Sequence, residues 1–270
     1  MPLARADLES LLRTRQLDRT LTTVLPPLDP QDEHGVAPTG IAVLDACLGG
    51  GFPRGQLSEL VGPRSSGRMS LLLQMAAAAT ARGELVALVD ALDMLDVESA
   101  AAAGVDLDRL LWVRGHVSVS PGACQDMNQR AMEQAVRALA LVLQAGGFGL
   151  VVFEVGEVGP AALRRLPFTT WLRLQRMAEG TQTVCVLVGR EPMARSSAGL
   201  TLRVGLKPGM SGSLEPTKQG GAPRESKERG IRFGTRLFEG LDVEGRVIRA
   251  RARASEDARV ALVTRAAGYA

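Results

Sequence analysis

Aromatic residues are scarce in this chain: two Trp, one Tyr and six Phe, 3% of 270 residues. A protein that holds single-stranded nucleic acid by base stacking needs a row of such platforms, and none is evident. Lysine is nearly absent, confined to Lys207, Lys218 and Lys227, so almost all the positive charge is arginine. With the heavy alanine content this fits a GC-rich coding bias better than a physical demand. The net charge is only +3, which excludes a polycation. Three widely scattered cysteines, Cys47, Cys124 and Cys185, make neither a metal spacing nor a disulfide framework, and reduced thiols in the cytoplasm are expected. His34 and His116 stand alone, so a zinc site is not expected. No apolar run reaches 18 residues, which excludes a membrane-spanning helix. Asp7 and Glu9 fall inside the first apolar stretch and argue against a secretory signal. What remains is globular composition, 46% hydrophobic and 23% charged, long enough for one large α/β domain with extensions.

Four regions follow from the patterning. Residues 1–30 form an N-terminal helix and a Pro-rich linker. Leu8, Leu11 and Leu12 make one apolar cluster and Leu17, Leu21, Val24 and Leu25 another, until Pro26, Pro27 and Pro30 stop the helix. Such a helix either packs on its own domain or is offered to a partner. Residues 31–206 alternate short apolar strands (57–61, 85–90, 110–113, 150–154, 184–188) with helical stretches (69–82, 96–103, 121–144, 168–179). Continuous apolar strands between helices predict a mostly parallel central sheet with helices on both faces, an α/β fold. Residues 207–230 are rich in Gly, Pro, Ser and charge with little to bury, a flexible linker by composition. Residues 231–270 form a small basic β extension and tail, with strands expected at 231–238 and 243–251 around a turn at 240–242. Arg232, Arg236, Arg246 and Arg249 make it basic. Trp112 and Trp171 are expected in the core, with an interface role open for Trp171.

The strand at 57–61 runs into Gly62-Pro63-Arg64-Ser65-Ser66-Gly67-Arg68-Met69-Ser70 and then a helix. A glycine-rich turn between strand and helix gathers backbone N–H groups and the positive end of the helix dipole, which suits phosphate. The working motif is G-x-x-x-x-G-K-[ST], in which Lys meets the β/γ-phosphates and the hydroxyl holds magnesium. Here Arg68 stands in the Lys place; its planar fork is not interchangeable with an ammonium. Met69 stands in the hydroxyl place, and a thioether is a poor ligand for a hard cation. Ser70 is one position late, about 100° round the helix.

The surroundings of this loop resemble the bacterial recombinase RecA. The resemblance is carried by residues 38–79 (PTGIAVLDACLGGGFPRGQLSELVGPRSSGRMSLLLQMAAAA), 86–113 (VALVDALDMLDVESAAAAGVDLDRLLWV) and 150–158 (LVVFEVGEV). It implies a RecA-like core over roughly 36–206. Within that superfamily the altered loop, the compact size and residues 163–180 (LRRLPFTTWLRLQRMAEG) look like ImuA-type accessory proteins of the bacterial damage-inducible mutagenesis cassette, often grouped with SulA-like division inhibitors.

Carried over position by position, the family's chemistry mostly fails. Asp90 and Ala91 match, but the Glu that orients the attacking water is Leu92. The neighbouring Asp93 points the other way unless a local bulge returns it. The magnesium-supporting Asp falls on Glu154, and the polar sensor pair on Gly189-Arg190. The two connections that match the DNA-binding loops are short, leaving Arg190 and Arg195 as phosphate contacts or solvated side chains. The vestigial phosphate-loop site is thus Gly62, Gly67, Arg68, Ser70 and Glu154. No catalytic residue, metal or turnover is expected, and residual ATP or ADP binding stays open.

The resemblance therefore implies a non-catalytic RecA-like factor in SOS-induced translesion mutagenesis. Its implied partners are RecA, whose filament it would modulate and inhibit, and an error-prone polymerase complex of the ImuB type. Leu8, Leu11, Leu12, Leu17, Leu21, Arg232, Arg236, Arg246 and Arg249 are the candidate partner contacts. DNA binding would be weak or absent, and the place of action is the cytoplasm, at the nucleoid. The alternative is a nucleotide-binding or weakly active RecA-like ATPase acting directly on DNA. Nothing in the residues addresses a tubulin-like partner.

Overall fold

A computed structural model describes residues 35–117, 125–206, 240–251, 254 and 256–265. The chain divides into two compact units, residues 1–31 and 32–270, and every described residue lies in the second. The leucines at 8, 11, 12, 17 and 21, Arg232, Arg236 and the strand expected at 231–238 lie outside the described residues.

In chain order the elements are β1 (Val36–Ala37), α1 (Ala42–Leu48), β2 (Phe52–Pro53), β3 (Gln56–Val61), α2 (Arg68–Ala81), β4 (Leu85–Asp90), α3 (Val97–Ala102), β5 (Leu110–Arg114), α4 (Gln125–Ala145), β6 (Phe148–Glu154), α5 (Pro160–Arg164), α6 (Phe168–Ala178), β7 (Val184–Gly189), β8 (Leu200–Leu206), β9 (Gly240–Ala250) and β10 (Arg259–Arg265). β1 and β2 pair by themselves. The rest form one eight-stranded sheet in the order β10-β9-β8-β3-β7-β6-β4-β5. From β8 to β5 all neighbours are parallel; β9 and β10 add an antiparallel hairpin at the β8 edge.

The period of two along each strand separates two cores, one per face. Val86, Leu88, Leu150, Val152, Val184, Val186 and Val188 point to one face, where α1, α2 and α3 cover them. Ala87, Val89, Val151, Phe153, Cys185 and Leu187 point to the other, under α4, α5 and α6. In α4 the positions Met132, Ala135, Val136, Leu139 and Leu143 are buried, at helical spacing, while Arg130, Glu133, Arg137 and Leu141 face solvent. Trp171, on the inner side of α6, is buried as a core residue.

Several parts differ from the sequence-based expectation: the β1–β2 pair, α5, β8 and β10 had not been expected as elements, and two further differences have a clear local cause. The short helix α1 hides between Gly40 and Gly49. The Asp45 side chain accepts from Thr39 N (2.8 Å) and Thr39 Oγ1 (2.7 Å), while Gly49 at φ 70° closes its C-terminal end. Two residues on, Gly51 at φ 134° lies so close to Ala37 and Pro38 that a Cβ would collide with their backbone. The second difference is at the C-terminus. The turn expected at 240–242 is instead the start of β9, where Gly240, Leu241 and Asp242 pair with Arg265, Thr264 and Val263. The chain reverses between Val247 and Ala258, where Asp257 takes φ 66° and donates its N–H to the Val247 carbonyl at 2.8 Å. A non-glycine residue tolerates that backbone best when it is Asp or Asn, a weaker turn signal than the glycine at 240. The hairpin is continuous with the core sheet. Among the described residues no helix is long and apolar enough to cross a membrane.

Candidate functional site

β3 delivers the chain into the loop of residues 62–67 at the carboxyl end of the parallel strands. In open α/β sheets this is where ligands bind. The Gly62 N–H donates to the Gly189 carbonyl at the end of β7 (3.1 Å). A Cβ on Gly62 would run into the Val204 carbonyl and Ser66 Oγ, so glycine is required there. Ser65 takes φ 58° and Gly67 φ 84°, and the Leu71 N–H donates to the Gly67 carbonyl as the first bond of α2 (3.0 Å). The strand–turn–helix expected from the sequence is therefore present.

Its side chains are arranged in an unexpected way. Arg68 is buried at 8% exposure. Its Nη1 donates to the Gly62 carbonyl and, at 3.2 Å, to the Pro63 carbonyl, while Nη2 pairs with Glu157 Oε1 at 2.9 Å. Met69 packs against the core on the α2 side. Ser70 is exposed. Glu154 ends β6 and is 5% exposed. Its Oε1 accepts the Gly156 N–H at 2.8 Å, and Oε2 has no partner. Burial pushes its carboxyl up to about 7, against the opposing pull of the Gly156 N–H and the Arg68 guanidinium. Ser66 Oγ is likewise buried without a partner.

The other transferred positions also find structural employment. Asp90, fully buried, accepts from Leu92 N (3.3 Å), Met94 N (2.7 Å), Leu95 N (2.8 Å) and Trp112 Nε1 (3.3 Å), and so shapes the turn after β4. Leu92 packs against the core under α4. No bulge returns Asp93 to the Glu place. It takes φ 58°, and Arg114 grips both its oxygens at 2.7 Å, which holds its carboxyl below the usual range. Arg190 lies 3.7 Å from Glu157. Arg195 stacks over Phe168 at 5.7 Å and its carbonyl accepts from Arg249. Arg246 pairs with Asp257.

Two carboxylates had not been singled out in the sequence. Glu157, three residues past Glu154, joins Arg68 to Arg190. Glu59 sits inside β3, 1% exposed; it accepts from Met193 N (2.6 Å), Ala194 N (2.7 Å) and Thr201 Oγ1 (2.8 Å). A charged residue in the middle of an apolar strand was the available signal for Glu59. Among the described residues no three His, Cys, Asp or Glu side chains stand close enough to hold a metal ion.

A family model for the RecA N-terminal domain matches residues 27–154. The solved structure of the RadB recombinase superposes with a TM-score of 0.52 at 19% identity, covering 84% of this chain and 94% of RadB. The fold is RecA-like. RecA of Prochlorococcus marinus strain MIT 9303 is 40% identical over 104 residues, 38% of this chain and 26% of that protein. RecA of Streptomyces avermitilis is 37% identical over 126 residues, 46% of this chain and 30% of that protein. The chain thus spans less than a third of the length of these relatives. The loop of residues 62–67, Asp90 and Glu154 lie along the carboxyl ends of β3, β4 and β6.

Proposed function

We propose that this chain is a non-catalytic RecA-like accessory factor of SOS-induced translesion mutagenesis, of the ImuA type. It binds RecA, inhibits growth of its filament and hence recombination, and links RecA to an error-prone polymerase complex of the ImuB type, in the cytoplasm at the nucleoid. The observation that carries this reading is the state of Arg68: the only cation in the phosphate loop's Lys place is bonded to its own loop carbonyls and to Glu157.

The residues present do not fit a nucleotide with its magnesium. The hydroxyl place is a core-packed methionine, the Glu place is Leu92, and Glu154 sits in a dry setting that favours its neutral form. Losing one preorganised electrostatic contact commonly costs about 10²–10³ in rate, and three positions are altered here. What such a chain keeps is shape. Subunits that associate head to tail without closing form open filaments, and a subunit lacking the chemistry ends one. Residues 1–30, with their leucine clusters, are the proposed docking element. Of the basic candidates, Arg246 and Arg249 already have local partners, which leaves them less available to a DNA phosphate.

RecA's own single-strand-dependent ATPase, measured with this chain titrated in and the chain alone as control, tests the reading. The expected result is falling RecA turnover with none from the chain. No effect on RecA overturns filament docking. Turnover by the chain alone, abolished by Arg68→Ala, would make it an ATPase.

A further inference from the structure

The Arg68 guanidinium is used at both ends of its fork. Nη1 reaches the Gly62 and Pro63 carbonyls inside the loop, and Nη2 reaches Glu157 in the turn after β6. A lysine ammonium is a compact point charge and does not span such a fork. Glu157 is 21% exposed, and its second oxygen faces Arg190 after β7 at 3.7 Å. One carboxylate therefore ties together the connections that follow β3, β6 and β7. Gly156 allows the turn to close this tightly: a Cβ there would collide with Arg68 Nη2 and Glu154 Oε1.

Beside this ion pair the site keeps the features of an anion cradle. The loop backbone turns through Ser65 and Gly67 into the N-terminus of the 14-residue helix α2. The buried Ser66 hydroxyl has no hydrogen-bond partner. An anion approaching the cradle meets the Glu157 carboxylate already bonded to the Arg68 guanidinium.

We propose that the Arg68–Glu157 pair is an autoinhibitory latch: it shuts the phosphate loop on the chain's own side chain, and its release, with the backbone cradle intact, opens the loop to a phosphate-class anion. The latch rests on the reading above that the loop, as it stands, is not a working nucleotide site. It explains how the loop keeps a phosphate-binding backbone without being a phosphate site.

The test uses the full chain and inorganic pyrophosphate, read by the shift in thermal unfolding temperature. Glu157→Gln keeps the size and an acceptor oxygen but removes the charge. Glu157→Asp keeps the charge on a shorter arm and serves if the first variant does not fold. The expected result is no shift for the unaltered chain and a stabilising shift for either variant. Pyrophosphate should bind the variant tighter by at least about tenfold, the scale of one charge contact near a protein surface. The shift should vanish in Arg68→Ala/Glu157→Gln. An equal shift in the unaltered chain, or none in a folded variant, overturns the latch. ATP turnover by the unaltered chain overturns the underlying reading instead, so the two failures are distinguishable.

Discussion

Glu154 is a carboxylic acid held out of water with one oxygen unpaired, and its proton is therefore bound more tightly in the folded chain than in the unfolded one. Between pH 4.5 and about 7 the folded state keeps a proton that the unfolded state has released. Stability accordingly falls as pH rises through that window and is level above it. Glu154→Gln removes the slope and stabilises the chain at pH 8 by about 3 kcal/mol. Urea titrations of both forms at pH 5 and pH 8 check this. A slope that persists in Glu154→Gln would assign it to another group. At this scale the altered chemistry was legible in the sequence, because the identities of Arg68, Met69 and Leu92 alone remove the familiar groups. The partner of Arg68 was not legible. Glu157 belongs to a segment 89 residues away in sequence, and only the parallel pairing of β3, β7 and β6 brings it alongside the loop.

β4 and β6 end in the buried carboxylates Asp90 and Glu154, whereas β3 carries its buried carboxylate inside the strand. Glu59 satisfies the N–H groups of Met193 and Ala194 and the Thr201 hydroxyl, and so fixes the connection between β7 and β8 against the central strand. Glu59→Ala leaves buried donors without an acceptor and is expected to cost about 3–5 kcal/mol. It should lower the urea midpoint far more than an exposed change such as Glu133→Ala on α4. A midpoint within experimental scatter of the unaltered chain would refute this role. The strands with continuous apolar runs and the long helices were readable because period and length agree. α1 was not, since seven residues between glycines carry too short a pattern. The reversal after β9 was misplaced because glycine at 240 is the stronger turn signal in sequence, while the sheet pairs it with Arg265.

For the whole molecule, strand order matters more than strand identity. β3, which bears the phosphate loop, lies between β7 and β8, so its neighbours at Val184 and Leu200 come from the far half of the chain. The stretch matching the RecA N-terminal domain ends at residue 154 and contains neither neighbour. A chain cut after Glu154 is therefore expected to lack a cooperative thermal transition by circular dichroism, whereas the full chain melts in one. A sharp melt of the truncated chain would show that β3 finds another partner.

The same arrangement sets a timetable for synthesis. Glu59 and Thr201 are 142 residues apart, so the ribosome works for on the order of ten seconds between them. Until β7 is made, late in that interval, Leu57, Leu60 and Val61 form an apolar ribbon with neither neighbouring strand to pair with. The nascent chain is a client for holding chaperones before it is a sheet, and the loop it carries is translated well before the strands that give it its shape.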